Sequence, residues 1–284
     1  MIAYMFKQIT ILGPGLLGGS LLWAARERGL AKRLCAWSRR PETRVKCAEQ
    51  PWCDQVFADP AEAVATADLV VACTPVETIA PLLADVAGYL QPGTTVTDVG
   101  STKSLICRQA RAVMPEGVCF VGSHPMAGSE KTGLEHADAN LFEGRTCFIT
   151  PLRGDPEDRV ERLVRFWRTL GAEPVTATPE DHDEIVANIS HLPHLLASAL
   201  CVYLKKQHTT WQHYAGNGLR DTTRIAAGDP ALWKSIVQEN QEEIMRALDG
   251  YIQQLDDLRT DLRNGAFPSI QNFLKQGKRF RDAL

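Results

Sequence analysis

Residues 8–29, QITILGPGLLGGSLLWAARERG, constrain the fold of this chain more than any other stretch. QITILG (8–13) has the apolar run of a buried strand. Leu21, Leu22 and Ala25 form the apolar stripe of a helix that Gly29 closes. Between them lies Gly13-Pro14-Gly15-Leu16-Leu17-Gly18, a G-x-G-x-x-G in strand-turn-helix context. In that setting Gly13 makes the turn, Gly15 lets a pyrophosphate approach the backbone, and Gly18 lets the helix pack on the strand. Free amides at the helix start, around Leu16 and Leu17, then bind the phosphates.

The same alternation of short apolar runs and helical periods continues to about Thr178, which is the pattern of a parallel α/β sheet. LCAWS (34–38), DLVVACT (68–74), TTVTDVG (94–100), VCFVG (118–122), TCFIT (146–150) and EPVTAT (173–178) are the further strands expected. Pro92-Gly93 ends a helix over 76–90, and Gly171 follows another at FWRTL. After Pro179 the strand-like runs stop. The fold class that follows is α/β, with an N-terminal Rossmann-type doubly wound parallel sheet over residues 1–179 and an all-helical C-terminal domain over 180–284. In the second half Ile244, Leu248, Tyr251, Leu255, Leu258 and Leu262 step by four, three, four, three and four along a helix expected to begin near Asp229-Pro230. Such a seam packs on a neighbouring helix of the chain or on a second subunit. A small helical domain has few elements to cover it, which favours a homodimer.

Composition removes several classes of function. Hydrophobic residues make up 44% of 284, charged residues 23%, and the net charge is −3, an ordinary globular balance that implies no nucleic-acid partner. The eight cysteines are scattered singly without a C-x-x-C, which fits a reducing cytoplasm. Met1 to Phe6 carries no basic residue ahead of its apolar stretch, and no run of 18 uninterrupted apolar residues occurs, so neither a signal peptide nor a membrane partner is expected.

An acid about 20 residues beyond the glycine loop is expected if a ribose hydroxyl of NAD is held there. The chain has Ser38-Arg39-Arg40 instead, with no Asp or Glu from Leu34 to Pro41. Guanidinium groups pair with a 2′-phosphate that a carboxylate would repel, so NADP is the expected cofactor, with NAD possible. The site lies beyond the carboxyl ends of the strands. Thr74 and Pro75 there are expected to line the nicotinamide pocket, unless they form a plain turn. Ser101 either caps the following helix or holds a substrate hydroxyl. His124, between a strand end and Pro125, is placed to accept a proton as hydride leaves a hydroxyl-bearing carbon.

ISHLPH (189–194) brings two further imidazoles. Zinc sites space helical histidines by roughly three to five residues and need a third ligand. Here only Leu192 and Pro193 intervene and no nearby side chain completes a set, so no metal is expected. On a helix, Asn188, His191, His194 and Ser198 form one polar stripe facing a wet cavity or a polar ligand. For His191 a satisfied place in the core is the competing reading. Pro193 should mark a kink or a helix boundary.

GPGLLGGS, DVGSTKS, GSHPMAGSEKTG, ISHLPH and GLRDTTRIAAGDPALW, in this order, resemble the prephenate and arogenate dehydrogenases of tyrosine biosynthesis, over essentially all of residues 7–284. The resemblance implies NAD(P)-dependent oxidative decarboxylation and a dimer formed by the helical domain. It implies His124 as the base on the ring hydroxyl, Ser101 as its support, and Arg224 as the ligand of a substrate carboxylate. It places His194 and Trp233 toward the pocket, Glu130 near its mouth, and Arg220 as a lesser binding candidate. Asn217, a neutral residue, is a candidate to meet the substrate side chain, which leans the choice toward prephenate. Two other readings stand beside this one. A β-hydroxyacid dehydrogenase would need a catalytic lysine from the helical half, where Lys205-Lys206 is poorly placed, and a non-catalytic NADP sensor would have no use for the histidine.

Overall fold

The computed structural model describes residues 4–128 and 131–284. The first half runs β1 (Phe6–Leu12), α1 (Leu16–Glu27), β2 (Ala31–Trp37), α2 (Pro41–Ala48), β3 (Gln55–Phe57), α3 (Pro60–Val64), β4 (Leu69–Ala72), α4 (Val76–Val86), β5 (Thr95–Asp98), α5 (Ser104–Val113) and β6 (Cys119–Phe120). Then come β7 (Gly122–Pro125), β8 (Thr146–Thr150), α6 (Glu157–Thr169) and β9 (Glu173–Thr176). The rest is helical: α7 (Pro179–Val186), α8 (Leu192–Lys205), α9 (Asn217–Thr223), α10 (Pro230–Glu239), α11 (Gln241–Asn264) and α12 (Phe267–Asp282).

Six parallel strands form the main sheet in the order β3-β2-β1-β4-β5-β6. Strand order reverses between β1 and β4, so the crevice for a ligand opens at their carboxyl ends, beside Gly13 and Thr74. Both faces are covered, as a parallel sheet requires. On one, Ile9, Ile11 and Leu34 pack with Leu22 of α1 and with Phe166 and Trp167 of α6. On the other, Leu12, Val70 and Val96 pack with Ile79 and Leu83 of α4 and Ile106 of α5. Ile236 of α10 joins that second core, so a helix from the all-α half is pressed directly onto the sheet domain.

The single parallel sheet expected from the sequence needs three corrections. The short β3 was not anticipated. VCFVG is two strands, because the chain turns after Val121 and β7 leaves the main sheet. β7, β8 and β9 then form a separate three-stranded sheet in which β7 runs antiparallel to β8 and β8 parallel to β9. Periodicity reports that a segment is extended and buried, not which strand it pairs with or in which direction. Gly122 lets β7 lie close against β8 and α5, since a Cβ there would lie 2.4 Å from Thr150 Oγ1 and 2.7 Å from Cys107 Sγ.

In the helical half, Asp229 caps α10 by accepting the Ala231 N–H, but the helix stops at Glu239 and the seam-bearing α11 is a separate helix starting at Gln241. The break falls at Asn240, whose side chain is drawn into the core, where Nδ2 donates to the Asp183 carbonyl at 2.8 Å. The seam itself changes character along α11. Ile244 is buried against Ala187 and Leu192, whereas Tyr251, Leu255 and Leu262 are exposed. The helical run Pro179–Lys205 is long and apolar enough by length and composition to cross a membrane, and a third of an apolar 18-residue stretch within it is buried. Its buried residues include His182, His191 and His194.

Candidate active site

The glycine loop has the expected local geometry. Gly13 has φ +95°, and a Cβ there would lie 2.9 Å from Thr74 Cγ2. A Cβ on Gly18 would lie 2.6 Å from the Gly13 carbonyl oxygen, so helix and strand meet as closely as glycine permits. A Cβ on Gly15 would meet nothing within 4 Å, which leaves that face of the turn open. No side chain caps α1 and its first turn carries no acid, so the first amides remain available to phosphate. The Thr74 hydroxyl is buried beside the loop with no hydrogen-bond partner among the described residues. A loop open at Gly15, an uncapped helix start and an orphaned hydroxyl together fit a dinucleotide.

Beyond β2, Ser38 is buried and its Oγ accepts the Arg40 N–H. Arg39 and Arg40 are exposed, and neither guanidinium is paired among the described residues. A third arginine, Arg44, shapes the turn from α2 by donating to the carbonyls of Ser38 (2.9 Å) and Arg39 (3.1 Å). The turn thus carries three cations and no acid.

Between the carboxyl ends of β5 and β7 and the helical half lies a cavity of about 440 Å³. Ser101, His124, His191, His194, Arg224 and Trp233 all line it, so six of the candidates scattered over more than a hundred residues meet in one space. Ser101 does not cap α5. That role falls to Asp183 of α7, which accepts the N–H groups of Lys103 and Ser104 at 2.8 Å each, and the Ser101 hydroxyl is left without a partner among the described residues. His124 sits at 8% exposure with its Nδ1 2.8 Å from His182 Nε2. Burial first, then the neighbouring His182 and Lys103, hold its pKa well below the ordinary imidazole range, so the ring is neutral near pH 7.

Pro193 marks a boundary as expected. A π-type turn over Ala187–His191 precedes α8, and Pro193 falls in the first turn of that helix, where its missing N–H is tolerated. The extra residue in the wide turn shifts the phase of the stripe. Ser190, His191 and His194 line the cavity, but Asn188 turns away to donate to the Glu184 carbonyl and Ser198 is not in the wall. His194 stacks on Trp233 with ring centroids 3.5 Å apart and 11° between planes. His191 is 1% exposed, and burial pulls its pKa down to about 4. Because Asn240 Nδ2 is anchored on the Asp183 carbonyl, the group 3.2 Å from His191 Nδ1 is a donor. His191 Nδ1 therefore accepts, and its Nε2 carries a buried N–H with no partner among the described residues.

Some expectations are not brought to the cavity. Arg220 and Asn217, on α9, are exposed and do not line it, whereas Arg224, at the end of that helix and one turn beyond Arg220, does. Lys205 and Lys206, at the end of α8, are also exposed and outside the wall. Glu130 lies outside the described residues.

Two family models match the chain: "Prephenate dehydrogenase, nucleotide-binding domain" over residues 23–176 and "Prephenate dehydrogenase, dimerization domain" over residues 178–276. The chain belongs to the prephenate dehydrogenase family. It is 32% identical to the prephenate dehydrogenase of Bacillus subtilis (strain 168) over 99% of this chain and 76% of that one. The crystal structure of prephenate dehydrogenase from A. aeolicus, in complex with hydroxyphenyl propionate and NAD+, is similar with a TM-score of 0.92 at 31% identity, covering 97% of each chain. The Synechocystis arogenate dehydrogenase structure is similar with a TM-score of 0.85 at 32% identity, covering 97% of this chain and 99% of that one. Membership in this family makes the protein an oxidoreductase.

Sequence reasoning missed several residues of this family member's site. Arg145 lines the cavity, and its guanidinium, like that of Arg224, is unpaired among the described residues. It precedes β8 and reaches the site only because β8 pairs with β7, which sequence periodicity does not encode. Asp229 also lines the cavity, beyond its role as a cap. His182, Asp183 and Lys103 lie behind the wall. Lys103 is fully buried and paired with Asp98. The signal for His182 and Asp183 was an adjacent His-Asp pair at the start of an otherwise plain helix, which by itself does not distinguish a solvated turn from a buried one.

Proposed function

We propose that this protein oxidatively decarboxylates prephenate, arogenate or both, with NADP as the preferred cofactor. The supporting observation is that His124, Ser101 and two unpaired guanidinium groups, those of Arg145 and Arg224, line one cavity at the carboxyl ends of the strands. Both substrates carry two carboxylates and a ring hydroxyl, which matches two free cations and a neutral imidazole beside a free serine hydroxyl. A bound nicotinamide supplies the hydride acceptor for the oxidation. His124 takes the hydroxyl proton as the hydroxyl-bearing carbon is oxidised, and Ser101 orients that oxygen. Arg224 holds one carboxylate, and His194, stacked on Trp233, with His191 through its unpaired N–H, completes the substrate wall. Once the ring carboxylate leaves as carbon dioxide, its bonding electrons make the ring aromatic and the phenolic oxygen takes the proton back from His124.

The amides at Gly15, Leu16 and Leu17 would hold the pyrophosphate between Gly13 and Gly18, Thr74 and Pro75 would flank the nicotinamide, and Ser38, Arg39 and Arg40 would receive the 2′-phosphate. In this reading residues 1–179 bind the dinucleotide and residues 180–284 bind substrate and pair two copies. The exposed Tyr251, Leu255 and Leu262 of α11 continue a buried seam and favour a homodimer through the helical half, in the cytoplasm where such precursors are made. Asn217 no longer supports prephenate over arogenate, while Asp229 in the wall is an acid that an ammonium could meet. Steady-state rates with prephenate and arogenate, each against NADP and NAD, test the proposal. Turnover of neither substrate with either cofactor would overturn it.

A further inference from the structure

His124 lines the cavity and is tied behind it by one ring nitrogen, Nδ1. Behind it runs a chain of buried contacts that crosses from the sheet domain to the helical domain. His124 Nδ1 lies 2.8 Å from His182 Nε2, and His182 Nδ1 lies 2.8 Å from Asp183 Oδ1. His182 is 0% exposed. Asp183 also accepts the Lys103 and Ser104 amides at the start of α5, and its backbone carbonyl accepts from Asn240 Nδ2. Burial raises the Asp183 carboxyl, but the hydrogen bonds from His182 and Ser104 outweigh it and hold the group ionised, below the usual carboxylate range.

The direction of every hydrogen bond in this chain follows from its far end. An ionised carboxylate only accepts, so His182 Nδ1 must carry the proton toward Asp183. A neutral His182 then has its lone pair on Nε2, so His124 Nδ1 must be the donor to it. What is left on His124 Nε2 is a lone pair, on the nitrogen not engaged behind the wall. The other charged or titratable groups packed around this chain do not offer a competing acceptor to His124 Nδ1. Lys103 donates to Asp98, Asp98 accepts from Lys103 and from the amides of Gly100 and Ser123, and His191 is engaged with Asn240.

We propose that His182, anchored by Asp183, is a positioning residue that locks His124 in the Nδ1–H tautomer and so presents Nε2 as the proton acceptor at the cavity. Resting on the assignment of His124 as the proton acceptor, it adds where the proton goes and why this ring takes it on that atom. The imidazolium that forms on His124 keeps its Nδ1–H bond to His182, and the carboxylate beyond gives the transient charge a fixed, buried counter-charge. The two domains therefore share one base, the ring coming from β7 and its orienting partner from α7.

The tautomer can be read without turnover. Nitrogen-15 spectra of the histidine rings in the full-length protein, with His124 assigned by its loss in His124→Asn, should show a protonated Nδ1 and an unprotonated Nε2. The opposite tautomer, or a ring averaging between the two, overturns the proposal. In the loaded enzyme, His182→Leu should lower kcat roughly 10–100-fold, the scale of losing one buried hydrogen-bond partner, with KM little changed. His182→Gln, whose amide can accept from His124 and donate to Asp183, should restore part of that loss. Equal losses in both variants, or a change in KM alone, would mean that His182 only packs. If the spectra show the expected tautomer while His124→Asn keeps full turnover, the tautomer stands and the assignment of His124 as the base fails.

Discussion

The two walls of the cavity are held in opposite ways. On the sheet side, His124 is buried, tied through His182 to Asp183, and set above the buried pair of Lys103 and Asp98. In the exposed part of the lining, Arg145, next to β8, and Arg224, from the helical half, carry guanidiniums without a partner among the described residues. Under the function proposed above, the difference matches the demands on each wall. A proton acceptor must keep one atom at one angle, and a buried hydrogen-bonded chain supplies that rigidity. A carboxylate clamp must wait for an anion from solvent, so its cations are left hydrated and long.

If the inner wall carries the chemistry, His124→Asn should lower turnover by roughly 10²–10⁴ while leaving dinucleotide affinity unchanged. A rate near wild type in a stopped assay would break the comparison at its centre. The inner wall should also make stability depend on pH. Burial holds His124, His182, His191 and His194 below the ordinary value of 6.5, so the unfolded chain takes up protons below that pH before the folded one does. Stability should therefore be full above about pH 6.5 and fall as the pH drops toward the folded values. His191 alone, with a folded pKa of about 4, accounts for about 3 kcal/mol at pH 4. Glu239, raised by burial, works in the opposite direction over part of that range. A Tm that does not change between pH 7.5 and pH 5 would show that the imidazoles are not desolvated as described.

For the outer wall, Arg224→Ala should weaken substrate binding by about 1.5–3 kcal/mol, with kcat less affected than KM and no loss of Tm. A drop in Tm without a change in KM would make the arginine structural. The smallest effects belong to the cofactor turn. Arg39→Ala and Arg40→Ala should each weaken NADP by about 0.2–1 kcal/mol, the range for exposed ion pairs, and leave NAD unchanged. Equal losses for both dinucleotides, measured by titration, would remove the 2′-phosphate from the role of these side chains.

Local residue order was enough for the glycine loop, the boundary at Pro193, the Asp229-Pro230 helix start and the change to helices after Pro179. Each depends on contacts within one or two turns of chain, such as Gly13 at φ +95° or a proline in the first turn of α8. His124, Ser101 and Arg224 were found as isolated candidates because strand ends and a family resemblance pointed to them. Their meeting in one cavity was not readable from spacing. Pairing of β7 with β8, the break at Asn240 and the burial of His182 under Phe148 and His124 join residues tens of positions apart. Short-range chemistry decided which segments turn, cap and extend, because those choices are settled by backbone sterics and neighbouring side chains. Only packing decided which nitrogen of His124 is free and which arginines remain unpaired, since hydrogen-bond direction and desolvation depend on groups that the fold brings together.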